Sequence, residues 1–419
     1  MRLHSPGIAC PSLLSGLLFV LATAASVYAQ RPDCRCASAP SCQGWPGTAD
    51  KGTAGSYGDM LAAGPANSLA DSPFELGEAA PAQLGDYYAA MAPGFVGDFF
   101  GGPVGGLSIG NNVGNNSNRI EYPGLASGGL VGIQKLVENS SPIPRDRLLF
   151  NYSYYNNVRF NPGGQDVNRY VVGFEKTLFD QRFSIELRAP FASTLSSNIY
   201  PTFLPTDTNT EFGNLTLYLK GLMFQGDSYA IGAGLGVALP TANDINMLTP
   251  NGTRLVQIQN ESVPLMPYVG AVYAPNDRFF SQALLQVSTV TSGNPVYFDA
   301  GRNGLIPLGT LNDPTWLFAS LNFGYWTHRT DPSQRLSGIA PLFEVHYNKT
   351  LQDTDSIAVG PFQVGDKFRN LEMINLVAGV NFEFFGHSYL SMAYVAPATN
   401  GPDRFFDGEL RVLFNRYFW

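Results

Sequence analysis

Glu344 and His346 stand two residues apart in "IAPLFEVHYN", a spacing that puts both side chains on one face of an extended chain. A carboxylate beside an imidazole is the pairing that orients a general base, so acid–base chemistry is conceivable here. The pair lacks a nucleophile, because the next residue on that face is Asn348 and not a serine. A lone Glu–His pair of this kind is ordinarily structural. His328 and His387 have no partners at metal-ligand spacing, and no HExxH occurs. "GGPVGG" has glycines but neither the lysine nor the strand–helix setting of a phosphate loop. Cys34, Cys36 and Cys42 follow one another in "CRCASAPSC" with no fourth cysteine or histidine nearby, and an odd number cannot all pair within one chain. The expectation is a protein that is not an enzyme and holds no metal or cofactor.

The charged residues are few, 14% of the chain, but they fall in a pattern. In "QRFSIELRA", Arg182, Glu186 and Arg188 share a face, and Phe183, Ile185 and Leu187 occupy the other. Lys220 alternates with leucines in "NLTLYLKGL", and Glu383 alternates with phenylalanines in "NFEFF". With Glu344, His346, Arg169, Glu175, Glu409 and Arg411, these are the candidates to line an interior. Two roles fit them: an ion-pair network that fills a narrow lumen, or a lining that selects solutes. Neither sign dominates, which argues against strong ion selectivity.

The elements that must carry these residues are strands. From residue 146 onward apolar and polar residues alternate with period two, in stretches from 147–157 to 408–419, about twelve in all and within two either way. Most are near ten residues, the length a tilted strand needs to cross a bilayer. Their connections alternate: "DQ", "QGD", "PNDR" and "FGH" are short, and those between them are mostly long, four running to about twenty residues. Keeping long loops at one end is a property of membrane barrels. Backbone groups in lipid must be satisfied internally, so the first strand has to pair with the last. The fold class expected is an all-β, antiparallel up-and-down transmembrane β-barrel. Tyr152, Tyr154, Trp316, Tyr325, Trp326, Phe384 and Tyr394 then suit two interfacial girdles. Gly232, Gly234 and Gly236 suggest that something approaches the wall closely, or simply space.

The remaining segments read as follows. Residues 1–29 have the charge, apolar run and small residues of a signal peptide. Residues 30–91 are a low-complexity linker, with a short helix around "LGDYYAAMA". Residues 92–145 are rich in Gly and Asn, which favours irregular backbone, and they suit either a plug or a periplasmic extension. Residues 146–419 form the barrel. The net charge of −8, without a basic run, excludes nucleic acid as a partner.

The chain ends in "GELRVLFNRYFW", which resembles the signal by which bacterial outer-membrane barrels are recognised for assembly, with Gly408, Tyr417, Phe418 and Trp419 as its residues here. Counting back from Trp419 places Asn415 and Arg411 on the apolar face; a bulge near Asn415 would restore it. More specifically, "FSIELRAPF", "EFGNLTLYLKGLMF" and "YAIGAGLGVALPT" look like the outer-membrane channels linked with the meta-pathway of phenol degradation. "ENSSPIPRDRLLFNYSYYNNV" resembles a group of secreted bacterial barrel proteins. These resemblances imply a bacterial outer-membrane channel passing small solutes passively, with outer-membrane lipid and the assembly machinery as partners and the solute unidentified. Two alternatives stand beside it: a structural or adhesive barrel with a plugged lumen, and a barrel hydrolase built on His346.

Overall fold

A computed structural model describes residues 92–100, 106–109, 120–122, 129, 131–159, 164–199, 209–299, 304–352, 355–359, 362–365 and 370–418, all within one compact unit, Gly77–Trp419. The segments expected to be a signal peptide and a linker with a short helix, together with Cys34, Cys36, Cys42 and Trp419, lie outside the described residues. Twelve strands form the wall: β1 Arg147–Val158, β2 Gln165–Leu178, β3 Phe183–Ser193, β4 Leu215–Gln225, β5 Tyr229–Leu239 and β6 Pro264–Tyr273, followed by β7 Phe279–Val290, β8 Trp316–Tyr325, β9 Gly338–Thr350, β10 Glu372–Phe384, β11 Ser388–Pro397 and β12 Gly408–Tyr417.

Each strand pairs antiparallel with its neighbours in sequence, and β12 pairs with β1 from Gly408↔Asn156 to Tyr417↔Arg147. The sheet therefore closes and leaves no edge. Alternation decides what faces where. Leu148, Ile185, Leu219, Leu285, Leu321, Phe343 and Met392 are exposed on the outside, and their sequence neighbours are buried within. This inverts a soluble fold, with the apolar face outward and the polar face enclosed.

Local chemistry explains the exceptions. Pro264 opens β6, and Pro267 lies inside it, where the pairing between β6 and β7 lapses between Leu265↔Thr289 and Tyr268↔Gln286 and resumes in the same register, as a residue without an N–H requires. The turn from β2 to β3 places Phe179, Asp180 and Gln181 in the left-handed region, with φ of 51°, 53° and 64°. The closing strand needs no bulge. Its pairing with β11 runs unbroken from Glu409 to Arg416, with Asn415 and Tyr417 inward and Arg416 outward, where its Nη1 donates to Ser388 Oγ at 2.6 Å. One cation at the rim is tolerated because a long side chain reaches a polar neighbour.

The short turns gather at one end of the barrel and the long connections at the other. At the loop end, Leu305–Leu311, Asn294–Asp299, Arg254–Ile258, Ile245–Leu248 and Asn198–Ile199 form a separate five-stranded sheet. Beside it, Ser356–Val359 and Phe362–Gly365 pair with Gly106–Ile109 and Ile120–Tyr122. A strand preceding the barrel thus pairs with the connection between β9 and β10. The chain reaches it by passing through the lumen. Residues 92–100 run from the short-turn end to the loop end, and residues 131–145 return to start β1. Phe95 N donates to Ser140 O at 2.7 Å, and Asn139 N donates to Val96 O at 3.3 Å. At the short-turn end Ala92 and Ile143 pack with Phe280, Trp326 and Tyr389. At the loop end Val96, Phe100 and Val131 pack with Ile258, Val296 and Phe298 of the loop sheet.

Candidate functional site: the barrel interior

Of the residues expected to line the interior, Glu186 and Arg188 (β3), Lys220 (β4), Glu344 and His346 (β9) and Glu383 (β10) all face inward and are buried. Arg182 does not. It sits in the turn before β3 and is exposed, because the pairing starts one residue later at Phe183. Gly408 opens β12, Tyr417 ends it with its ring 5.3 Å from that of Tyr389, and Phe418 points outward, exposed. Trp316 and Trp326, expected in the girdles, also face inward and are buried. Trp316 meets Phe99 of the lumen segment edge-on at 5.5 Å, so its indole packs against the chain's own plug and not against lipid. Tyr325 and Tyr394 are exposed on the outer face.

The interior charges form three networks. On β1 to β4, Glu186 accepts from Arg188 Nε at 2.6 Å and Arg147 Nη2 at 3.1 Å and is ion-paired with Lys220. Glu175 takes Arg147 Nε at 2.8 Å and Lys220 Nζ at 3.0 Å. The second network joins wall to lumen segment: Arg169 pairs with Glu138 at 2.9 Å, and Arg411 pairs with Glu409 and donates to Tyr155 OH at 3.1 Å.

The third centres on Asp98, which pairs with Lys135 from the returning arm and accepts from Asn348 Nδ2 and Asn375 Nδ2, each at 2.9 Å. His346 Nε2 lies 2.8 Å from Glu344 Oε2, and its Nδ1 lies 2.8 Å from Ser320 Oγ on β8. The serine that the sequence denies to His346 along its own strand therefore arrives from the neighbouring one, through the pair Ser320↔His346.

A serine, a histidine and a carboxylate in a row invite comparison with a hydrolytic triad. Here all three are enclosed, and Glu344 is saturated by Asn322 Nδ2 and by the backbone N–H groups of Val96 and Gly97, at 2.8 and 2.9 Å. The carboxylate holds the lumen segment.

Asp98, Lys135 and Glu138 are the residues that sequence reasoning missed. One signal was present: Asp98 is the only charged residue between positions 92 and 118, in a stretch otherwise of small, apolar and amide residues. An isolated charge in such surroundings needs a partner. The three glycines of β5 divide their work. A Cβ on Gly232 would collide with the carbonyl oxygen of Pro142 in the lumen segment, whereas Gly234 and Gly236 leave room for the rings of Tyr268 and Tyr218.

No family model and no curated relative matches the chain. Among solved structures, an outer-membrane channel of Pseudomonas putida F1 is similar at 14% identity and a TM-score of 0.44, over 67% of this chain and 97% of that one. The β domain of the Bordetella autotransporter BrkA is similar at 12% identity and a TM-score of 0.39, over 65% and 99%. The Pseudomonas putida toluene transporter TodX follows at 8% identity and a TM-score of 0.33, over 65% and 87%.

Proposed function

We propose that this protein is a bacterial outer-membrane channel that passes small solutes passively, with residues 92–100 and 131–145 as the gate of its lumen. The short turns lie on the periplasmic side and the loop sheet lies outside, and the exposed end of β12 with Phe418 serves recognition during assembly. One observation carries the reading: within an apolar-faced closed barrel, the lumen is polar, and what fills it is a segment that belongs to no wall strand. Such a segment can leave without opening the wall. With the segment seated, the route is closed.

Conductance of the full chain in planar bilayers tests this. Asp98→Asn keeps the volume but leaves Lys135 without its buried counter-charge, which weakens the gate's hold on the β9–β10 wall. The expected result is an open probability at least about tenfold above the parent, the equivalent of about 1.4 kcal/mol. Neither protein conducting would remove the channel reading and favour a permanently plugged structural barrel, which the enclosed networks also support.

The protein is not an enzyme in this reading. His346→Ala is expected to leave any esterase activity of the preparation unchanged, and Ser320 is expected to resist fluorophosphonate labelling. Labelling lost with that substitution would reverse the assignment.

A further inference from the structure

The wall charges pair with one another and with Glu138 of the lumen segment, and they also direct polar atoms at the main chain of that segment: Arg147 and Lys220 donate to the carbonyls of Asn139 and Ser141, and Glu175 accepts the N–H of Arg145. Glu344 accepts the successive N–H groups of Val96 and Gly97, one on each oxygen. Arg411 Nη1 donates to the carbonyl of Val96 at 2.9 Å, so both backbone groups of that residue are read by the wall. The carbonyl of Phe99 receives Tyr155 OH at 3.1 Å and Arg169 Nη1 at 3.2 Å. On the returning arm, Arg188 donates to the carbonyls of Lys135 and Leu136 at 2.9 and 3.1 Å, and Gln286 Oε1 accepts Leu136 N–H at 2.9 Å.

These contacts go to the main chain and not to side chains. Val96 and Gly97 offer no polar side chain, yet the wall grips them through carboxylate and guanidinium groups, whose bonds in an enclosed low-dielectric space are the strong kind. An irregular segment in a dry interior must have its backbone groups satisfied. Small uncharged groups could have done so without committing buried charges. Between residues 96 and 99 the wall reads the N–H groups of Val96 and Gly97 and the carbonyls of Val96 and Phe99.

We infer that the lumen wall is a docking site for the main chain of a peptide, occupied in cis by residues 93–99, and that peptides are the solute class the open lumen takes. The solute assignment rests on the channel reading; the docking site does not. When the segment leaves, Glu344, Arg411 and Arg169 are left with unmet bonds that a free peptide supplies, and the one residue it must match is glycine at the position of Gly97, whose φ is 84°. The gate then acts as a tethered competitor.

The test uses the full chain in lipid nanodiscs and a fluorescent peptide, APGFVGDFF, the sequence of residues 92–100. In the parent protein the tethered segment competes at high effective concentration, so weak binding is expected. In Asp98→Asn, where the wall groups that read the main chain are intact, anisotropy is expected to report at least about tenfold tighter binding. A second peptide, N-methylated at the positions of Val96 and Gly97, keeps every side chain but loses both N–H groups. It is expected to bind the variant at least about tenfold more weakly. Equal binding of the two peptides, or no binding by the variant, would overturn the inference. Conductance is recorded on the same preparations. A variant that conducts but ignores the peptide defeats this inference alone, and one that binds the peptide without conducting defeats the channel reading alone.

Discussion

Replacing Glu186 by Gln lowers the temperature at which the folded barrel gives way to the unfolded, slower-migrating form in heat-dependent gel mobility, and the drop exceeds that caused by Asp98→Asn. Glu186 is fully enclosed and faces three cations, Arg188, Arg147 and Lys220. Glutamine keeps the shape and one acceptor oxygen but no charge. Glu175 can compensate Arg147 and Lys220, which it already contacts, but it makes no ion pair with Arg188. Removing one partner of a buried ion pair typically costs about 3–5 kcal/mol, because the charge left behind is neither solvated nor paired. Arg188 also holds the carbonyls of Lys135 and Leu136, so the loss extends into the lumen segment. Gel mobility across a temperature series, with Arg182→Gln as the exposed control, measures the effect. A variant as heat-resistant as the parent would show that the network is dispensable.

The second large effect separates the gate from the wall. Gly232→Val is expected to leave the barrel assembled while expelling the lumen segment, because its Cβ would fall on the carbonyl oxygen of Pro142. Backbone cannot yield there as a flexible side chain could, and overpacking of this kind costs about 1–3 kcal/mol or more. The wall has less to lose. Valine favours strands, and the outward neighbours Ile231 and Ala233 keep their positions. The expected signature is raised conductance in planar bilayers with near-parental gel mobility. Ala233→Val, one residue away and pointing outward, is expected to change neither. If Gly232→Val migrates as an unfolded chain, the segment is part of the folding core and not a removable gate; if it folds and stays closed, Pro142 shifts without releasing the lumen.

The twelve strands were legible because their signal is local. Period-two alternation is carried by each strand's own residues, and the lengths of "DQ", "QGD" and "FGH" sort the connections without knowledge of any partner. Where that signal ended, so did the legibility. Arg182 shares its face with Glu186 by counting, but whether the strand begins at 181 or 183 depends on a turn in which three consecutive residues adopt positive φ. Trp316 and Trp326 carry the ring chemistry of a girdle, but they share the inward parity of Ser320 and Asn322, and the lumen holds the residues they pack against. The register of the last strand was ambiguous because Asn415 and Arg416 are both polar; pairing with β11 and β1 resolves it.

By itself, then, the sequence determined a set of strands whose alternating faces must close into a barrel, since no other arrangement of such strands satisfies its backbone in lipid. It also determined that the interior would be polar. The tertiary structure decided what the polar residues do. Glu344 reads the backbone of residues nearly 250 positions away, at |i−j| of 248 and 247, and Ser320 meets His346 only because β8 and β9 pair in one register. Such contacts are set by the closure of the whole sheet around a segment that precedes it, and no window of sequence contains both partners.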